Sequence, residues 1–237
     1  MVVSHLKRLR APRTWPILRK ERVFIAKPFP SPAGLEQSLP VVVAVRDLLK
    51  IAGNAREVKY LINEGKIRLN GKRVKSYKQP LGLFDVLGFP EIDAYYRLSL
   101  NKKGKLAVLE IEKSESDKFI FKIIGKKMLP GNKVQVNFSS GMNIFVPSSE
   151  SSDYKTGNCV LASYPPIKVI EHLPMKEGMK VFILSGKHRG NLAEVSELFP
   201  ERRDIVVKLG ESHFEISDKS VIIVGKEEPA IRVTLSD

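Results

Sequence analysis

Apolar positions recur at helical spacing over two short stretches in the first third of the chain, and at a spacing of two over most of the remainder. Val45, Leu48, Leu49 and Ala52 share one face of a first helix, and Val58, Leu61 and Ile62 share one face of a second. Gly53 is placed to end the first helix. Asn54 is placed to cap the second, with Glu57 three residues on as its capping-box partner. Gly65 stops the second helix. Ile67 and Leu69 then alternate up to Asn70-Gly71, a strong hairpin signal because both central residues of a type I′ turn need positive φ. Lys78 to Pro90, broken by Pro80, Gly82 and Gly88, reads as a closing loop in which Leu83, Phe84, Val86 and Leu87 seal this small core.

From Tyr95 onward the period is two. YYRLSL, a turn at Asn101 to Gly104 and KLAVLEIE read as a hairpin. KFIFKII after Ser116 fits either a strand or a short helix. KVQVNF is a strand, a turn follows over Ser139 to Asn143, and Asn143–Val146 and Asn158–Ala162 are further short strands. Pro174 to Val195 reads as strand, basic glycine loop, strand, with Lys187, His188 and Arg189 between Gly186 and Gly190. DIVVKL, HFEIS and SVIIVG supply the remaining strands.

Residues 1–40 lack either period. Pro12, Pro16, Pro28, Pro30, Pro32 and Pro40 each fix φ and remove a backbone donor, so no regular element longer than a few residues is expected. This arm is basic and poor in apolar residues, and it is expected to order only against a partner. Trp15, between Arg13 and Arg19, can stack on a base or pack on the neighbouring domain, and the sequence leaves both open.

Charge sharpens the picture. The chain of 237 residues carries a formal +14. Residues 1–80 hold 18 Lys and Arg against 5 Asp and Glu, whereas residues 81–237 hold 22 against 21. The excess therefore sits around the helical stretch and the arm, as a polyanion-binding surface requires and uniform solubilising charge does not. Between Lys66 and Lys78 there are six basic residues and no acid.

Enzymatic chemistry finds no support. Phosphate loops, metal-ligand spacings and nucleophile–base pairs are absent from the pattern, and His5, His172, His188 and His213 lie on unlike elements. No catalytic residue, cofactor, metal or small-molecule substrate is expected. Cys159 has no partner for a disulfide and reads as an inert, half-buried thiol in a reducing, cytoplasmic compartment. No apolar run approaches the roughly 20 residues of a membrane span, and no signal core precedes the arm, so a soluble, non-exported chain with no membrane partner is expected.

The order helix, Gly53, helix, Gly65, strand, Asn70-Gly71, strand resembles the alpha-L RNA-binding domain. In that family the second helix and the hairpin present basic side chains to structured RNA. The glycine loop around Lys187 resembles the KOW motif of SH3-like barrels, with Ala193 where the pattern has a third glycine. KRLRAPRTWPILRKE from Lys7 to Glu21, then Ser38-Leu39-Pro40, Arg46-Asp47 and Asp85 in PLGLFDVL, are similar to the archaeal and eukaryotic type of small-subunit ribosomal protein four. The resemblance covers essentially the whole length. It implies a non-catalytic structural constituent of the small ribosomal subunit whose partners are small-subunit rRNA and neighbouring ribosomal proteins. An RNA-modifying enzyme and a KOW-type transcription factor are the alternatives. The first would need a catalytic domain, and the second would leave the alpha-L domain and the arm unexplained.

The expected fold is α+β and multidomain: a basic arm over 1–40, an alpha-L domain over 41–92, a central, mostly β domain over 93–170, and a KOW SH3-like barrel over 171–237. The candidate RNA contacts are Lys7, Arg8, Arg10, Arg13, Trp15, Arg19 and Lys20 on the arm. Arg46, Arg56, Lys59, Lys66, Arg68, Lys72, Arg73, Lys75 and Lys78 follow on the helices and hairpin, and Lys187, His188 and Arg189 on the loop.

Overall fold

The computed structural model describes residues 5–199, 202–226 and 228–234. The first four residues of the expected arm, and Pro200, Glu201, Glu227 and residues 235–237 of the expected barrel, lie outside the described residues. The chain divides into two compact units, Met1–Asp117 and Lys118–Asp237, and is mostly β with few helices.

In the first unit the elements run β1 (Leu6–Lys7), β2 (Phe24–Ile25), β3 (Ser38–Pro40), α1 (Val41–Val43), α2 (Ala55–Asn63), β4 (Arg68–Leu69), β5 (Lys72–Arg73), β6 (Pro80–Gly82), β7 (Val86–Phe89), β8 (Ala94–Leu100) and β9 (Leu106–Ile111). Val41 to Val45 are buried on every side, which marks a core helix and not a surface one. α1 widens into a π turn over Ala44–Leu48, closed by Leu49 N donating to Ala44 O. The expected end at Gly53 is therefore displaced. Lys50 takes the left-handed conformation, at φ 55°, and Leu48 and Leu49 are only half-buried.

The stretch expected as a loop over Lys78 to Pro90 holds two strands. β6 pairs with β3, and β7 sits at the centre of a five-stranded sheet ordered β5-β4-β7-β8-β9. The glycines and prolines there shape edges and bends without preventing pairing, and Phe84, Val86 and Leu87 are buried as expected. The boundary expected at 92/93 cuts through this sheet, because β8 pairs with β7 from Val86↔Arg97 to Phe89↔Ala94.

The arm is not a free extension of this unit. β1 and β2 form a short ladder, Leu106 N donates to Thr14 O at 2.7 Å, and Phe29 N donates to Lys78 O at 3.0 Å. Trp15 is 2% exposed, and its Nε1 donates to Ser38 O and Leu35 O at 2.9 and 3.1 Å. Proline holds regular structure here to strands of two or three residues but does not prevent packing.

The second unit begins with β10 (Lys118–Leu129), which resolves the strand-or-helix ambiguity of KFIFKII as a strand of 12 residues. β11 (Lys133–Phe138), β12 (Asn143–Pro147), β13 (Cys159–Ser163) and β14 (Lys168–Leu173) complete a sheet ordered β12-β11-β10-β13-β14. The boundary expected at 170/171 falls inside β14. A second sheet holds β15 (Lys180–Ile183), β16 (Leu192–Phe199), β17 (Asp204–Leu209), β18 (Ser212–Ser217) and β19 (Val221–Gly225), ordered β18-β17-β16-β15-β19. Two polar ties join these sheets. Lys122 Nζ donates to the carbonyls of Asp218 and Val221, and Ile223 N donates to Cys159 Sγ at 3.3 Å. Cys159 is fully buried, deeper than the sequence implied.

Candidate nucleic-acid interface

Helix α2 is fixed at both ends, so the cations it carries are held on a rigid support. Asn54 Oδ1 accepts from Arg56 N and Glu57 N at 2.8 and 3.0 Å. Glu57 reaches back to Gly53 N at 2.7 Å, one residue earlier than a standard capping box would place it. At the other end Lys66 N donates to Leu61 O and Gly65 N to Ile62 O, with Gly65 at φ 76°, the pairing of a Schellman motif. Val58 and Ile62 face the core, leaving Arg56 and Lys59 exposed. Lys59 Nζ lies 4.6 Å from the centre of the Tyr77 ring, a cation–π contact.

The hairpin follows its sequence signal. Asn70 and Gly71 have φ of 50° and 75°, as a type I′ turn requires. Asn70 also binds the fold behind it. Its Nδ2 donates to Asp85 Oδ1 at 2.8 Å, and its Oδ1 accepts from Val86 N at 2.7 Å. Asp85 Oδ2 accepts from Gly82 N at 2.6 Å. Asp85 as a residue keeps some exposure, but its carboxyl is enclosed. Desolvation pushes its pKa up to about 6, against the opposing pull of the Asn70 and Gly82 donors. The tip is thereby pinned to the sheet.

The register sets Arg68 directly opposite Arg73, both exposed. Like charges at that spacing disfavour the pairing. Arg73 relieves part of the conflict by donating from Nη2 to Asn63 O, beside Gly65, where it caps the last turn of α2. Arg56, Arg68 and Lys75 are exposed and have no ion pair among the described residues. Lys66 sits 3.3 Å from Glu91, and Lys78 is half-buried against Tyr77 at 5.7 Å.

Several candidates from the arm and the first helix are used internally. Trp15, for which stacking and packing were both open, packs: it is closed off in the core. Arg8 is 2% exposed and faces Glu21 at 3.3 Å. Arg19 spends its guanidinium on the carbonyls of Leu9, Ala11 and Pro12. Arg46 makes a two-pronged pair with Asp47, both bonds at 2.8 Å. Lys7, Arg10, Arg13 and Lys20 remain exposed. Local sequence shows charge but not these carbonyl and carboxylate partners, which folding brings in from elsewhere. The helix-capping role of Arg73 was missed for the same reason.

In the second unit the loop between β15 and β16 turns at Gly186 and Gly190, with φ of 92° and 86°. Lys187 is exposed and Arg189 half-buried. The His188 ring stacks on Phe214 at 4.4 Å, so it supports the loop. Among the described residues no group of acidic, His or Cys side chains could hold a metal ion, and no helix is long and apolar enough to cross a membrane.

Comparison with known proteins matches three segments to family models. Residues 3–32 match the RS4NT (NUC023) domain, 47–87 the S4 domain, and 92–169 the ribosomal family S4e. The small ribosomal subunit protein eS4 of Methanocella arvoryzae is 36% identical over 236 residues, covering 98% of each chain. Its counterpart in Methanococcus vannielii is 40% identical over 240 residues, covering 96% of each. The crystal structure of the 30S ribosomal protein S4e from Thermoplasma acidophilum superposes with a TM-score of 0.68 at 25% identity. It covers 80% of this chain and 96% of that one.

Proposed function

Because the chain belongs to the ribosomal family S4e, whose members are non-enzymatic structural constituents of the small ribosomal subunit, we propose that its cationic hairpin is its main anchor on small-subunit rRNA. The observation that carries this reading is Arg68 opposite Arg73 on a pinned hairpin. The arrangement opposes folding in the free chain, and phosphates placed between and beside the two guanidinium groups reverse the sign of that interaction. Arg56, Lys59, Lys72, Lys75 and Lys78 extend the same surface, and Lys7, Arg10, Arg13 and Lys20 add the exposed cations of the arm. Lys187 and Arg189 form a smaller second contact.

The layout proposed is an arm folded onto an alpha-L domain, a central β region, and an SH3-like barrel built from β15 to β19. Supporting the barrel, β19 returns to pair with β15 after a 3-10 turn over Asp218–Ser220. Neighbouring ribosomal proteins and a cytoplasmic ribosome complete the proposal. Exposed Leu9, Leu18 and Phe24 on the arm offer apolar area to such neighbours.

Each phosphate contact contributes about 0.7–0.9 to the slope of log affinity against log salt. Arg56→Gln, Arg68→Gln and Lys75→Gln together spare the helix-capping Arg73, and are expected to flatten that slope on small-subunit rRNA by roughly two units. Lys187→Gln with Arg189→Gln is expected to flatten it less. A folded triple variant with the wild-type slope would move the anchor away from the hairpin.

A further inference from the structure

The near-neutral total of the later chain hides a local segregation. From 118 to 149 there are five lysines and no Asp or Glu. Four of these are exposed, and three of the four, Lys126, Lys127 and Lys133, lie where β10 pairs with β11. The registers fix which side chains share a face. Val134, Val136, Phe138 and Val146 are buried, so the opposite face carries Gln135 and Asn137 of β11 with their cross-strand partners. Those partners are Lys127 and Gly125 on β10, and Phe145 and Asn143 on β12. Phe145 is 66% exposed, with Gln135 as its direct neighbour across the ladder. Gln135 Nε2 donates to Asn137 Oδ1 at 2.7 Å, which orients both amides. Gly125 leaves open space where a Cβ would stand.

The exposed Phe145 ring shares its face with Gln135, Asn137, Asn143 and Lys127, and its apolar neighbour on its own strand is the single Pro147, so this face falls short of the continuous hydrophobic area that protein docking uses. It has what an unpaired nucleotide needs: a ring on which a base stacks, amides for base edges and a cation for the phosphate. We propose that this face of β10, β11 and β12 binds an unpaired RNA nucleotide, with its base on the Phe145 ring and its phosphate at Lys127. The site is separate from the hairpin, and the proposal rests on the rRNA-binding reading only for its source of RNA.

The test uses full-length protein carrying Arg56→Gln, Arg68→Gln and Lys75→Gln, so that hairpin binding does not mask the second site. Binding is measured to ten-nucleotide oligouridylate and oligoadenylate, and to an RNA duplex of equal length. Single strands are expected to bind more tightly than the duplex. Phe145→Ala and Phe145→Leu are both expected to weaken them roughly 5- to 100-fold, the loss of one base–aromatic stack. Lys127→Gln is expected to reduce the salt slope by about 0.7. Phe145→Trp keeps a ring in place should the smaller side chains disturb folding, and its fluorescence is expected to be quenched by the single strand. Unchanged affinity in Phe145→Ala, full retention in Phe145→Leu, absence of quenching, or equal binding of duplex would each overturn the proposal. These outcomes are independent of the rRNA salt slope that tests the hairpin.

Discussion

Asn70 and Asp85, fifteen residues apart, are joined by a 2.8 Å hydrogen bond that ties the tip of the basic hairpin to an enclosed carboxyl. Desolvation dominates that carboxyl, while the Asn70 amide opposes it by favouring the ionised form. A carbon-detected titration of the Asp85 side chain is expected to give a midpoint about 6. Asn70→Ala should move it higher, since a donor to the carboxylate is removed. The folded-state value exceeds the unfolded one, so the contribution to stability is fully present below about pH 4 and is lost as pH rises through about 6. The displacement of roughly two pH units corresponds to about 3 kcal/mol. A midpoint near 4 would contradict the enclosure of this group.

Trp15 locks the arm to the first unit, and its removal should be felt there even without RNA. Trp15→Ala is expected to destabilise the chain by about 3–5 kcal/mol. Trp15→Phe keeps most of the apolar bulk but leaves the carbonyls of Leu35 and Ser38 without their donor, a loss of about 1–3 kcal/mol. Amide exchange of the free protein should show protection at Arg8 and Leu106, whose N–H groups bond to Val23 O and Thr14 O. Rapid exchange at both would restore the picture of an arm that orders only on its partner.

Cys159 reports on the second unit. Burial pushes its thiol up to about 11, and Lys122 and the Ile223 amide pull it only partly back. Alkylation of the native protein at pH 8 should therefore proceed only through opening of the β13–β19 contact, far more slowly than in denaturant. Alkylation at equal rates in the two conditions would show that this region is not packed as described.

The features legible in the sequence are those decided within a few residues. Asn54 caps α2, Gly65 ends it and Asn70-Gly71 turns the hairpin, because each depends on a φ value or on an oxygen two or three residues away. Lys50 taking the left-handed position in place of Gly53 was not legible, since it follows from the π turn that the VVVAV core imposes. The same holds for β8 and β9 joining the hairpin's sheet, and for the burial of Trp15 and Arg8, which require partners 13 or more residues away or a whole sheet to be known first. For the candidate surface, charge identified the hairpin, but only the folded structure separates exposed Arg56, Arg68 and Lys75 from Arg19 and Arg46, which are already engaged.

β10 lends its first residues, Lys118–Lys122, to β13 and its last, from Ile123 on, to β11, with a bulge between Ile123 and Gly125. During synthesis the second half can zip with β11 as soon as that strand clears the exit tunnel, a local closure over a handful of residues. The first half must wait until Cys159 to Ser163 have emerged, roughly two to eight seconds after its own emergence, for some 40 residues at about 5–20 residues per second. For that interval Phe119, Ile120 and Phe121 sit on an open strand edge, the kind of edge that recruits other chains. The lysines at 118 and 122 flank that apolar run, so they act as gatekeepers for the nascent chain before either has any role in the finished one.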